Sequence, residues 1–234
     1  KMIVMKKYVM GERCFDFGPL LKRGSYTDVS EHPDTVTNNR YHETFTLTNN
    51  GLFDAELNCF VKSGSNNFII EPQSLLIKKD QTGSIKLWGL PKSLGVIRDS
   101  IILTIKNNPV PFQFDVQMTG AEPKAVIDRQ SVDFGRVLLS TSTVTETLLL
   151  KNTCPIPITW KVAESHQLSS EFTIEPTSGR LGVGEKAEIR ISFSPKQQNV
   201  VKDFLMVSFT DEDQITSSES IKVAVTAESF NLDV

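Results

Sequence analysis

Two tripeptides in the chain, Asp16-Phe17-Gly18 and Asp133-Phe134-Gly135, have the residue types of a metal-binding signature. In protein kinases such an Asp holds magnesium at the phosphates. That chemistry also needs a His-Arg-Asp catalytic loop, a strand lysine paired to a helix glutamate, and a glycine-rich loop. Only fifteen residues precede Asp16, and no His-Arg-Asp precedes Asp133. Two copies set one domain apart do not make one active site. The tripeptide reads instead as the opening signal of a repeated domain, with Phe17 and Phe134 buried and Gly18 and Gly135 at a bend in the first strand.

The other chemistry-bearing residues fare no better. Gly182-Val183-Gly184-Glu185-Lys186-Ala187 fits a dinucleotide fingerprint, but that fingerprint needs a helix after it. Here Glu188-Ile189-Arg190-Ile191-Ser192-Phe193 alternates as a strand, so a hairpin turn is expected. His32, His42 and His166 lack cysteine or carboxylate neighbours at ligand spacing. No Gly-x-Ser-x-Gly elbow is present. Asp211-Glu212-Asp213 lacks the further oxygen ligands of a calcium loop and reads as a solvated hairpin tip. Trp88 and Trp160 lie on apolar strand faces as core anchors. The expectation is a non-enzyme with no cofactor, no metal and no small-molecule substrate.

Charge and cysteine usage narrow the class further. A net charge of −3 argues against nucleic acid and anionic membrane as partners. Cys14, Cys59 and Cys154 are far apart and odd in number, so they read as small apolar residues in a reducing, intracellular setting. Met2-Ile3-Val4-Met5 is too short for a membrane span or a signal-peptide core. The absence of a starting Met suggests a piece of a longer chain.

The elements are strands. Thr44–Thr48, Ala55–Cys59, Ser84–Trp88, Ile101–Ile105 and Phe112–Met118 each alternate in period two, which gives a strand one apolar and one polar face. The second half repeats the first. Glu146–Asn152 follows Glu43–Asn49 at an offset of 103, Phe172-Thr173-Ile174-Glu175-Pro176 follows Phe68-Ile69-Ile70-Glu71-Pro72 at 104, and Val223–Thr226 follows Val116–Thr119 at 107. Near-constant offsets mark a tandem duplication. Units of about 100 residues match the size of an immunoglobulin-like sandwich. The expected fold is all-β, with domains at 8–121 and 122–230. Gly120 to Pro123 forms a short connector, predicting a stiff, roughly end-to-end pair.

The two Phe-Gly pairs are 117 apart while the next strands are 103 apart, so the first unit carries 14 extra residues. They fall in a polar, turn-rich loop, 22–39. Tyr26 and His32 in that loop are candidate partner contacts. Asn49-Asn50-Gly51 reads as a turn made by left-handed residues. Pro72 and Pro176 deny a ladder donor, which suits an edge strand or a crossover.

Taken together, Asp-Phe-Gly, a Thr-rich strand ending in Asn, and Phe-x-Ile-Glu-Pro-x-Ser resemble the ASH-type domains of ciliary and centrosomal proteins. The fullest stretch is Phe172 to Glu185 followed by Ile189-Arg190-Ile191-Ser192-Phe193-Ser194-Pro195. ASH domains are relatives of major sperm protein and of PapD-like sandwiches. The run Lys7 to Leu21 is similar to that of a very long ciliary chain of such domains. The resemblance implies a structural, protein-interaction segment of a scaffold in the axoneme of cilium or flagellum, at the central pair apparatus, supporting cilium motility. Partners would be other axonemal and central pair proteins, with the microtubule reached indirectly. The alternative it implies is a module, of centrosomal type, that docks short acidic or phosphorylated peptides, with Lys78, Lys79, Lys86 and Arg98 as the basic candidates. In the first unit Leu75-Leu76 stands where the pattern has Gly179-Arg180.

Overall fold

The structure is a computed structural model. It describes residues 14–22, 41–139, 143–163, 168–214 and 218–231, and the backbone of 2–5. The chain divides into two compact units, 1–121 and 122–234. Unit 1 contains β1 (Met2–Met5), β2 (Cys14–Leu21), β3 (His42–Asn49), β4 (Ala55–Val61), β5 (Phe68–Glu71), β6 (Ser74–Ile77), β7 (Thr82–Gly89), β8 (Gly95–Ile105) and β9 (Phe112–Ala121). Unit 2 contains β10 (Ala125–Ile127), β11 (Ser131–Leu138), β12 (Val144–Asn152), β13 (Ile158–Val162), β14 (Phe172–Glu175), β15 (Ser178–Leu181), β16 (Lys186–Phe193), β17 (Asn199–Asp211) and β18 (Glu219–Phe230).

Each unit pairs a four-stranded sheet with a five-stranded one. The orders are β1-β3-β7-β5 and β2-β9-β8-β4-β6 in unit 1, and β10-β12-β16-β14 and β11-β18-β17-β13-β15 in unit 2. Every strand of the first unit thus recurs, in order, in the second. Two tandem immunoglobulin-like, PapD/major sperm protein-like β-sandwiches were the expectation from the sequence, and this is the fold. The first sandwich starts ahead of residue 8, because Met2–Met5 pairs along β3 from Asn49 to Thr46. The apolar run at the start is therefore an edge strand.

Alternation builds the core. Leu47, Leu57, Ile85, Leu87, Ile101, Leu103, Val116 and Met118 are buried in unit 1, and Leu150, Trp160, Ile189, Ile191, Leu205, Val207, Val223 and Val225 take their places in unit 2. The residues between them, such as Lys86 and Arg190, point outward, so strand register fixes which side chains meet. At Pro72 and Pro176 the chain leaves edge strands β5 and β14 and crosses to β6 and β15 in the facing sheet. Both prolines follow cis peptide bonds. The Gly182–Glu185 turn likewise joins strands of two different sheets, β15 to β16, so it is not the expected hairpin.

The two cores solve one packing problem in two ways. In unit 2, Trp160 lies opposite Gly179, where an added Cβ would stand 2.9 Å from the indole Nε1. In unit 1 the matching pair is Leu57 opposite Leu75. Leu75 in turn reaches over Gly83, where a Cβ would meet its Cδ2 at 2.7 Å; unit 2 has Ala187 at that register position. Cores are packed densely enough that a large side chain at one position requires a small one opposite. Gly179→Leu is expected to cost about 1–3 kcal/mol by overpacking. Adding Trp160→Leu should recover part of that loss, giving a coupling of about 1 kcal/mol or more in a double-mutant cycle read by urea unfolding. Strictly additive effects would contradict this account.

Candidate interaction surfaces

The Asp-Phe-Gly tripeptides form β-bulges. Strand β2 runs parallel to β9, with the register shifting between Asp16 and Pro19; β11 runs parallel to β18, with the shift between Asp133 and Arg136. Gly18 and Gly135 have φ of 73° and 64°, the left-handed region that other residues occupy at a cost. The Asp closes each bulge: Gly18 N–H donates to Asp16 Oδ1 at 2.7 Å, and Gly135 N–H to Asp133 Oδ1 at 3.0 Å. It also ties the bulge to the neighbouring strand, accepting from Gln117 Nε2 at 2.6 Å in unit 1 and from Thr226 Oγ1 at 2.9 Å in unit 2. The Gly135 and Thr226 bonds hold the Asp133 carboxyl below its ordinary range. The expected bend is present. Phe134 is buried against Phe172 and Phe193 at 5.6 and 5.7 Å. Phe17 departs from the expectation and is only half-buried, edge-on to Phe15 at 4.8 Å. Its ring covers Gly89, where unit 2 carries the fully buried Phe193.

These bulges matter for binding because β2 and β11 are sheet edges. An uninterrupted edge invites a partner strand, and proteins blunt edges with bulges, prolines or short length. All the described edges are blunted: β1, β5, β6, β10, β14 and β15 have three or four residues. The two eight-residue edges, β2 and β11, are broken in the middle by the bulge.

Two buried side chains went unrecognised in the sequence. Asn49 and Asn152 end β3 and β12, and neither uses a left-handed conformation. The Asn49 amide accepts from Gly51 N–H at 2.9 Å and donates to the carbonyls of Phe53 at 2.9 Å and Ile77 at 3.0 Å. Asn152 accepts from Cys154 N–H at 2.9 Å and donates to the carbonyls of Ile156, Gly182 and Leu181 at 2.8, 3.0 and 3.3 Å. Each amide therefore stitches the end of the four-stranded sheet to the end of β6 or β15 in the other. A recurring Asn after a Thr-rich strand was the available signal.

Of the candidate contacts, Tyr26 and His32, with residues 23–40 of the loop, lie outside the described residues, as does His166. Lys78 and Lys79 are exposed in the β6–β7 turn. Arg98 is exposed on β8, its Nε donating to Gln117 at 3.1 Å. Ile105, seven positions along β8 from Arg98, lies near the Lys78 end of the sheet. That distance is roughly 20 Å. Lys86 lies on the other sheet, over Trp88. The structure therefore does not gather these cations on one surface. His42 packs against Trp88 with ring centroids 4.6 Å apart and ring planes tilted by 39°. Among the described residues no group of three His, Cys, Asp or Glu side chains is placed to hold a metal. Asp211, expected in a solvated tip, is buried at the base of the β17–β18 turn. Burial raises the Cys59 thiol to about 11, leaving it an inert core residue.

One loop of unit 1 is built around a carboxylate. Asp99 accepts from the hydroxyls of Ser63 and Ser65 and from the backbone of Ser63 and Ser100. This braces the β4–β5 turn against β8.

Comparison with known proteins follows this architecture. Residues 133–232 match the family model of the seventh Ig-like domain of CFAP65. The chain is 26% identical to Hydrocephalus-inducing protein of Mus musculus over 99% of its length. This chain resembles hydrocephalus-inducing protein nearly end to end. The Homo sapiens homolog is 25% identical over 98% of the chain. The chain spans only 4% of the length of these relatives. Among solved structures, the ASH/PapD-like domain of human CEP192 is 16% identical with a TM-score of 0.44, covering 48% of this chain and 89% of that one.

The Asp99 brace has a pH signature. Burial works to raise its pKa, but the hydrogen bonds from Ser63, Ser100 and Ser65 outweigh burial and hold it below 3.8. A carboxyl depressed by folding stabilises fully above its unfolded pKa, and that contribution is lost as pH falls through the folded value. Asp99→Asn should therefore lower stability at neutral pH, and its deficit against the natural chain should shrink below about pH 4. Urea unfolding at both pH values checks this; an equal deficit at both would rule the brace out as an ionised contact.

Proposed function

We propose that this chain is a non-catalytic structural and protein-interaction segment of a ciliary scaffold, and more finely a part of the axonemal central pair apparatus that supports cilium motility. The observation that carries the reading is the near end-to-end similarity to hydrocephalus-inducing protein across both sandwiches. The match of the second sandwich to a CFAP65 Ig-like domain supports it, as does the ASH-type pattern. Partners are other axonemal proteins, with the microtubule reached through them.

The geometry suits a spacer. Each unit is a closed sandwich with its own core, and the blunted edges favour contacts through sandwich ends, faces and loops over added strands. Immuno-electron microscopy of motile cilia with the natural full-length protein tagged tests this. Label along the central pair is expected. Label confined to centrosomes, or its absence from cilia, would overturn the reading.

A further inference from the structure

Strand β1 begins opposite Asn49, so the chain comes into unit 1 at the end that carries the β3–β4, β6–β7 and β8–β9 turns. Three large apolar side chains are set out on those turns: Phe53 is 82% exposed, Leu52 77% and Val110 71%. They sit at an end of the sandwich, where sheet-face packing cannot use them.

The Leu52-Phe53 turn is held in place. The buried Asn49 amide bonds Gly51 and Phe53, Asp54 Oδ1 accepts from Lys79 N–H at 2.9 Å, and Asp80 N–H donates to the Asn49 carbonyl at 3.0 Å. A pre-formed apolar tip loses little freedom when something covers it. The duplicate supplies a control. In unit 2 the same turn keeps the same buried amide, yet Ile156, in the place of Phe53, is only 8% exposed. The turn of unit 2 also holds the incoming chain, since Thr153 donates to the Lys124 carbonyl from its N–H at 3.0 Å and its Oγ1 at 3.2 Å.

Charge narrows the occupant. Lys78 and Lys79 share these turns with Asp54 and Asp80, so the tip is close to neutral and offers mainly apolar area. A strongly acidic peptide gains little there. Contacts between domains of one chain accommodate such mixed surfaces, being more polar than obligate interfaces. The relatives continue far beyond the length matched by this chain, which spans 4% of them. We propose that Leu52, Phe53 and Val110 form a stacking surface for the near end of another β-sandwich that precedes this one in the same polypeptide. The proposal rests on the scaffold reading and adds to it one contact made by unit 1.

Hydroxyl-radical footprinting of the natural full-length protein tests coverage, with Phe60 as internal reference. Phe60 is 45% exposed, so exposure in this chain alone would have Phe53 oxidise faster. Stacking predicts the reverse, with Phe53 severalfold slower than Phe60. Faster oxidation of Phe53 overturns the proposal. Phe53→p-benzoylphenylalanine in the full-length protein then identifies the occupant by photocross-linking and mass spectrometry. A cross-link to residues preceding this segment in the same chain is the expected result. A cross-link to a second copy or to another protein, or none, overturns it. Each of those outcomes leaves the ciliary location, read separately by microscopy, standing.

Discussion

A buried amide holds each sandwich together at the end where the chain comes in. Asn49 and Asn152 belong to the four-stranded sheet, but their Nδ2 groups bond carbonyls at the end of β6 and β15 in the other sheet. Removing either side chain would take this bond from buried main-chain groups, the Ile77 carbonyl in unit 1 and the Ile156 and Leu181 carbonyls and Cys154 N–H in unit 2, at about 1–3 kcal/mol for each group left without another partner. An apolar substitute of the same shape cannot repair this, because the orphaned groups are main chain. The amide therefore fixes where the two sheets end relative to each other, and with them the three turns of the leading end. The rigid Leu52-Phe53 tip follows from that clamp.

The second device acts on the sheet edge. Each sandwich opens by sending one strand to each sheet, β1 then β2, and β10 then β11. This leaves the longest edges at β2 and β11. The left-handed glycine interrupts those edges, and the aspartate secures the interruption to the neighbouring strand. The same three residues that imitate a kinase signature thus discourage indiscriminate strand pairing. Two sandwiches in one chain hold their edges at high local concentration, so an edge guard repeated once per unit is physically useful.

The repeat, the strands and the positions of Pro72 and Pro176 were legible because they depend on local pattern: period-two alternation, a fixed offset and the missing proline donor. What was not legible depends on contacts distant in sequence. The Asn49 amide looks like a turn residue until Ile77, 28 residues on, is seen to accept its hydrogen bond. Phe17 and Phe134 occupy the same motif, yet their burial differs because Gly89 stands where unit 2 has Phe193, and no motif around Asp-Phe-Gly carries that information. The Leu75 departure was visible as a broken pattern; its meaning came only with Trp160 opposite Gly179. The placement of the basic candidates was hidden for a similar reason: distance along β8 parts Arg98 from Lys78 and Lys79, and sheet membership parts it from Lys86.

The two units keep the same topology, the same amide clamp and the same bulge, and differ where those constraints end. Residues 1–121 carry 14 Lys and Arg against 12 Asp and Glu, whereas residues 122–234 carry 11 against 16. Ser63 and Ser65 gather on Asp99 in the first unit, while in the second Asp203 bonds only the adjacent Phe204 N–H among the bonds described. Backbone constraint and core volume leave few options inside a sandwich, but a turn residue such as Phe53 or Ile156 can change without disturbing the amide beneath it. Duplication of this fold therefore keeps the frame and core of each unit and leaves the turns and outer faces free to diverge.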